Sequence, residues 1–134
     1  MMSPALDLSG KPFGYQLLLD LYRCRPGTCN DIALCYRFLD EIVDHIGMQK
    51  ISSPHVFFTD PVKWPDKAGL SGWVPLIESS VVLHTITLKN FVSIDVYSCR
   101  EFDPKMVLDF ARPLFFPENH ESQFLYRGKD YMDI

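Results

Sequence analysis

Val81-Val82-Leu83-His84-Thr85-Ile86-Thr87-Leu88-Lys89-Asn90-Phe91-Val92-Ser93-Ile94-Asp95-Val96-Tyr97-Ser98-Cys99 decides the fold. Two runs rich in β-branched and apolar residues flank Lys89-Asn90, a dipeptide suited to a tight turn. The stretch therefore predicts strands over Val81–Leu88 and Phe91–Ser98. In the second run Phe91, Ser93, Asp95, Tyr97 and Cys99 share one face, and Val92, Ile94 and Val96 share the other.

Upstream, Trp73 to Ile77 is a short strand, broken from Val81 by Glu78-Ser79-Ser80, and Ile51 to Phe58 is another. Tyr15-Gln-Leu-Leu-Leu-Asp-Leu-Tyr22 is a compact apolar run that reads as a buried strand, ended by Pro26 and Gly27. Between these, Ile32, Cys35, Leu39, Ile42, Val43 and Ile46 recur at helical spacing. Asn30 or Thr28 is the candidate N-cap and Gly47 the C-terminal cap. Thr59 to Gly72, with Pro61, Pro65 and Gly69, reads as a long loop. Downstream, Asp103-Pro104 starts a second helix with Met106, Val107, Phe110 and Ala111 as its apolar stripe and Pro113 as its stop. A last strand lies near Gln123 to Arg127. The order β-α-β-β-β-β-α-β predicts an α+β fold: a two-layer α/β sandwich, with a mainly antiparallel sheet and two helices on one face. One domain spans residues 1–134.

A net charge of −4 with scattered Lys and Arg excludes a basic stripe for nucleic acid. No apolar run approaches the ~20 residues of a membrane helix. Met1 to Lys11 holds none of signal-peptide length, so the expected location is cytoplasmic. Cys24, Cys29, Cys35 and Cys99 match no zinc or disulfide spacing, so no metal is expected and the thiols are read as free.

Ser71, Ser79, His84 and Cys99 are the polar residues that stand out in the β-rich region. By periodicity alone they are turn serines, a strand histidine and a cysteine that behaves as a small hydrophobe. No Gly-x-Ser-x-Gly elbow surrounds Ser79. However, Glu78-Ser79-Ser80-Val81-Val82-Leu83-His84-Thr85 resembles the Glu-Ser-His-x-x-x-His-Thr segment of the short, prokaryotic-type S-adenosylmethionine decarboxylases. Ile94-Asp95-Val96-Tyr97-Ser98-Cys99 resembles their Ile-Asp-hydrophobic-aromatic-Thr-Cys strand, and Leu70-Ser71-Gly72 their Val-Ser-Gly. Gly14, Leu18-Leu19-Asp20-Leu21-Tyr22, Cys24 and Tyr126-Arg127-Gly128 also fit, so the resemblance spans most of the chain.

The resemblance implies a proenzyme that cuts itself between Glu78 and Ser79 and turns Ser79 into a pyruvoyl cofactor. The ketone would bind a substrate amine as a Schiff base and accept the electron pair left by carbon dioxide. Ser71 and His84 would serve processing, Cys99 would protonate the product, and Glu78 would contact substrate. A homodimer and a role in polyamine biosynthesis are implied with them. Three departures touch substrate reading or the cleavage site. Leu88 stands where the family has a ribose-binding glutamate, Ser80 where it has a histidine, and Trp64-Pro65-Asp66-Lys67-Ala68-Gly69 replaces its Phe-x-Pro-x-Gly approach. Trp64 is the candidate adenine-stacking ring. The expected substrate is S-adenosylmethionine, or else arginine or ornithine, for which Asp60, Asp66 and Glu101 are candidate carboxylate partners. An uncleaved, non-catalytic partner of a decarboxylase is the remaining alternative.

Overall fold

Alternation along each strand gives the sheet one apolar and one mixed face, and the apolar face dictates where the helices go. The computed structural model describes residues 10–134; the reading of residues 1–9 as free of a signal-like run lies outside them. The strands are β1 (Gly14–Tyr22), β2 (His55–Thr59), β3 (Gly69–Pro75), β4 (Ser79–Ile86), β5 (Phe91–Ser98) and β6 (Asn119–Arg127), with helices α1 (Ile32–His45) and α2 (Pro104–Phe115). They form one sheet in the order β2-β3-β4-β5-β1-β6, with every pairing antiparallel. Leu17, Leu19 and Leu21, Leu70 and Val74, Val81 and Leu83, and Val92, Ile94 and Val96 are buried beneath the helices. Phe38, Leu39, Ile42 and Val43 of α1 and Val107, Ala111 and Phe115 of α2 complete that core. The α+β two-layer sandwich expected from the sequence is the observed fold.

Several boundaries differ from the expectation, each for a local reason. The N-cap of α1 is Asp31, whose carboxylate accepts the Leu34 N–H at 3.0 Å, while Thr28–Asn30 form a 3-10 turn ahead of it. Gly47 does end this helix, at φ +70°. Strand β2 starts at His55 because Pro54 has no N–H to give a ladder. Strand β3 starts at Gly69, so Leu70, Ser71 and Gly72 belong to the sheet and not to the preceding loop. Strand β4 begins two residues early and ends at Ile86, since Thr87–Lys89 turn as a 3-10 segment into Asn90 at φ +50°.

Helix α2 passes through Pro113 and stops at Phe116, whose φ is +48°. Pro113 forfeits one hydrogen bond of about 1 kcal/mol. Continuing the helix buries Phe115 against Phe38, with ring centroids 5.8 Å apart, which stabilises by about 2 kcal/mol or more. Strand β6 begins at Asn119, earlier than expected, because Asn119 to Ser122 form an exposed edge with no apolar alternation to announce it. No helix among the described residues is long and apolar enough to cross a membrane.

Candidate active site

Between β3 and β4 the chain reverses in a turn closed by the Leu76 N–H donating to the Ser79 carbonyl at 2.8 Å. Ile77 and Glu78 form its tip. The segment after α1 lies alongside: the Ile77 N–H donates to the Gln49 carbonyl at 2.9 Å, and the Gln49 N–H donates to Glu78 Oε1 at 3.2 Å. On the other side the Cys99 N–H donates to the Glu78 carbonyl oxygen at 2.9 Å. That oxygen belongs to the carbonyl joining Glu78 to Ser79. A fixed N–H there draws electron density from the carbonyl carbon and stabilises an oxyanion formed on attack by the neighbouring hydroxyl.

Cys99 lies beyond the end of β5 and is exposed. Cys99 does not continue the β5 row of Asp95 and Tyr97, because the chain bends over Cys99 and Arg100 once the strand ends at Ser98. There the buried hydroxyl donates to the Arg100 carbonyl at 2.8 Å and accepts the Arg100 N–H at 2.9 Å. Cys99 instead lines a cleft of about 350 Å³ with Phe13, Tyr15, Glu101 and Tyr131. Its walls are aromatic: Phe13 and Tyr131 have ring centroids 4.7 Å apart, and Tyr15 meets Tyr126 edge-on at 5.7 Å. Lost hydration, and then the Glu101 charge, push the Tyr15 hydroxyl above its usual pKa.

Ser71 and His84 are register partners across β3 and β4, and Ser71 Oγ lies 3.0 Å from His84 Nδ1. Both line a second cleft, of about 410 Å³, with Thr59, Trp64 and Lys67. Trp64 is exposed, and Lys63 Nζ sits 4.6 Å from its ring centroid. Asp95 lies in the neighbouring strand on the same open face. Burial pushes its carboxyl above the usual range, and the His84 charge opposes that rise.

The four residues singled out from the sequence thus form two pairs. Glu78, Ser79 and Cys99 meet at one end of β4, whereas Ser71, His84 and Trp64 meet at the other. His84 follows Ser79 by five residues on one strand. That spacing is about 17 Å, and alternation turns the two side chains to opposite faces. Of the three candidate acids, Glu101 lines the Cys99 cleft. Asp60 caps its own turn through the Val62 and Lys63 N–H groups at 2.9 and 3.3 Å, and Asp66 sits in the 3-10 turn Pro65–Lys67. Leu88 is 70 % exposed in the turn after β4, outside the Trp64 cleft. Ser80 faces an apolar hollow with Phe57, Trp73 and Val82 on the open face of the sheet.

Sequence reasoning did not single out Gln49, Tyr15, Lys67 or Tyr131. Gln49 acts through backbone groups that any residue carries, so no signal existed for it. The aromatic side chains at 15 and 131 converge only when β1 and the C-terminal segment are brought together.

The family model described as S-adenosylmethionine decarboxylase matches residues 15–128. The chain is 35% identical over 66 residues to the S-adenosylmethionine decarboxylase proenzyme of Geobacillus kaustophilus, an alignment covering 49% of this chain and 53% of that protein. At that level of identity the chain spans about half the length of the relatives it matches. It is 26% identical over 117 residues to S-adenosylmethionine decarboxylase proenzyme 2 of Bacillus cereus, covering 87% of this chain and 89% of the relative. The crystal structure of the adenosylmethionine decarboxylase from Aquifex aeolicus superposes with a TM-score of 0.73 at 26% identity, covering 88% of this chain and 92% of that one. With the family model running from β1 to the end of β6, on a sheet and helix pair that a solved member shares, this chain belongs to the S-adenosylmethionine decarboxylase family.

Proposed function

We propose that the chain is a self-processing, pyruvoyl-dependent decarboxylase of S-adenosylmethionine in polyamine biosynthesis. The observation that carries the reading is the Cys99 N–H held 2.9 Å from the Glu78 carbonyl oxygen. Ser79 Oγ attacks the Glu78 carbonyl carbon, the C–N bond breaks, and an ester replaces the amide. Removal of the Ser79 Cα proton then expels the Glu78 carboxylate and leaves dehydroalanine at position 79. Water converts this residue to a pyruvoyl group and releases ammonia. The products are fragments of 78 and 56 residues. A pyruvoyl group supplies a ketone electron sink that no ordinary side chain offers. Cys99 is the proton donor for the substrate carbon, its exposed thiol lining the cleft next to Glu78.

Ser71 and His84 assist processing, and one strand cannot bring them to its own Ser79. A second copy can, so the proposed enzyme is a homodimer in which each chain lends its Ser71–His84 pair to the partner. The exposed Phe57 and Trp73 beside that pair support an association through the open face. The Trp64 cleft carries Lys67 and no carboxylate, which supports a nucleoside there and disfavours the guanidinium of arginine or the ammonium of ornithine. In the Cys99 cleft, aromatic walls and the Glu101 carboxylate suit a sulfonium cation. The four thiols are unpaired, in keeping with a cytoplasmic location.

A denaturing gel tests the reading. The purified protein is expected to resolve into two fragments, the downstream one with a blocked N-terminus, and to release carbon dioxide from S-adenosylmethionine. A single full-length band, unchanged with time and pH, would support a non-catalytic partner role and overturn the enzyme.

A further inference from the structure

The scissile turn is held by a circuit of hydrogen bonds that closes through Arg100. Arg100 Nη1 donates to the Gly47 carbonyl at 2.8 Å, at the left-handed residue that ends α1. Two residues on, Gln49 accepts the Ile77 N–H and gives its own N–H to Glu78 Oε1. The Ile51 N–H donates to the Pro75 carbonyl at 2.9 Å, and Lys50 bridges Leu76. Segment 47–51 therefore grips the upstream side of the Glu78–Ser79 bond. A second grip on the same residue comes from the segment after β5, where the Cys99 N–H, one residue from Arg100 itself, holds the Glu78 carbonyl. The Arg100 backbone is in turn locked to the buried Ser98 hydroxyl from both its N–H and its carbonyl.

We infer that Arg100 is a positioning residue: its bond to Gly47 sets Cys99 against Glu78 before cleavage and keeps the Cys99 thiol aimed at position 79 afterwards. The inference rests on the reading of Glu78–Ser79 as the cleavage site. Its physical content is geometric. The guanidinium touches neither the scissile carbonyl nor the cleft beside Cys99. It joins the two segments whose N–H groups do the holding. Once the chain is cut, segment 47–51 and Glu78 lie in one fragment and residues 98–100 in the other. Arg100–Gly47 then becomes a tie between fragments at the new chain ends. A small error in the placement of a donor or acid lowers rate steeply, by up to ~100-fold for about 1 Å.

The test compares Arg100→Ala, Arg100→Lys and the control Arg23→Ala, which loses a guanidinium paired with Glu118 far from the turn. The first readout is the rate at which full-length chain becomes two fragments. The second is the number of turnovers completed before misplaced protonation inactivates the enzyme. Folding is followed as the thermal midpoint of the same substitutions in an uncleavable Ser79→Ala background. Arg100→Ala is expected to slow cleavage about tenfold or more and to shorten the run of turnovers. Arg100→Lys is expected to restore part of both, since an ammonium can also reach a carbonyl, and Arg23→Ala to cleave like wild type. If Arg100→Ala cleaves at the wild-type rate and completes as many turnovers, the positioning role is wrong. Slowed cleavage that merely tracks a lowered thermal midpoint, with no recovery in Arg100→Lys, also overturns it. A wild-type chain that never cleaves removes the cleavage site and this inference together, which separates the two failures.

Discussion

At the scale of single residues, the proposed site divides labour between a backbone donor and three side chains. Ser79→Ala removes the attacking hydroxyl and is expected to leave one full-length band. Cys99→Ala keeps the backbone N–H that faces Glu78, so it is expected to cleave yet decarboxylate poorly. A Cys99→Ala protein that turns over like wild type would show that another group gives the proton. Glu101 is the carboxylate within the Cys99 cleft. Glu101→Gln is expected to raise KM for S-adenosylmethionine several-fold, by roughly 3- to 10-fold, with kcat little changed, because it removes ground-state attraction for a cation. Steady-state kinetics with both parameters resolved checks this.

Asp95 offers a pH test. Burial raises its folded pKa, so the ionised carboxylate is disfavoured in the folded protein, and stability rises as the pH falls through that raised value toward the unfolded one. Asp95→Asn is therefore expected to increase the thermal midpoint at pH 7. The gain should shrink toward nothing as the pH falls below the ordinary carboxylate range, where Asp95 is neutral in folded and unfolded chain alike. A gain that is independent of pH would mean the effect is not the charge.

At the scale of elements, the β3–β4 pairing is what brings Ser71 to His84. Gly69, at the head of β3, has φ +153°, and a Cβ built there would lie 2.0 Å from the Thr85 backbone carbonyl oxygen. Thr85 is itself tied down, its Oγ1 accepting the Leu70 N–H at 2.8 Å and donating to the Cys29 carbonyl at 2.6 Å. Neither strand can yield cheaply. Gly69→Ala is expected to cost about 2 kcal/mol or more in chemical denaturation and to slow cleavage by disturbing the Ser71–His84 register two residues away. A fully stable Gly69→Ala protein would show that the approach of the two strands is soft.

At the scale of the whole molecule, the two halves of the site lie at opposite ends of one strand, and a second copy is the proposed remedy. Mixing variants in one co-expression tests it. His84→Ala alone is expected to remain full length. Beside Ser79→Ala, which retains its His84, the His84→Ala chain is expected to be cut while the Ser79→Ala chain stays whole. Tagging one chain tells them apart on a gel. If the His84→Ala chain stays uncut in the mixture, the pair acts within its own chain or not at all.

Element types and their order were legible from local physics. Alternation over Phe91–Ser98, helical spacing over Ile32–Ile46 and the Asp103-Pro104 start each reflect side chains facing one core, and each is visible in a short window. Windows without an apolar pattern misled: the exposed edge β6, and the start of β3 at a glycine admitted by close backbone approach. Ser71, Ser79, His84 and Cys99 became candidates through the resemblance of their segments to a family's motifs, which matches residues along the chain and is silent on which side chains meet. Tertiary structure alone decided which of them meet. The β3–β4 register set Ser71 against His84, the bend after Ser98 took Cys99 out of its expected row, and backbone groups of Gln49 and Cys99 closed on Glu78. Such contacts depend on chain path and not on side-chain identity, so no reading of the sequence could have found them.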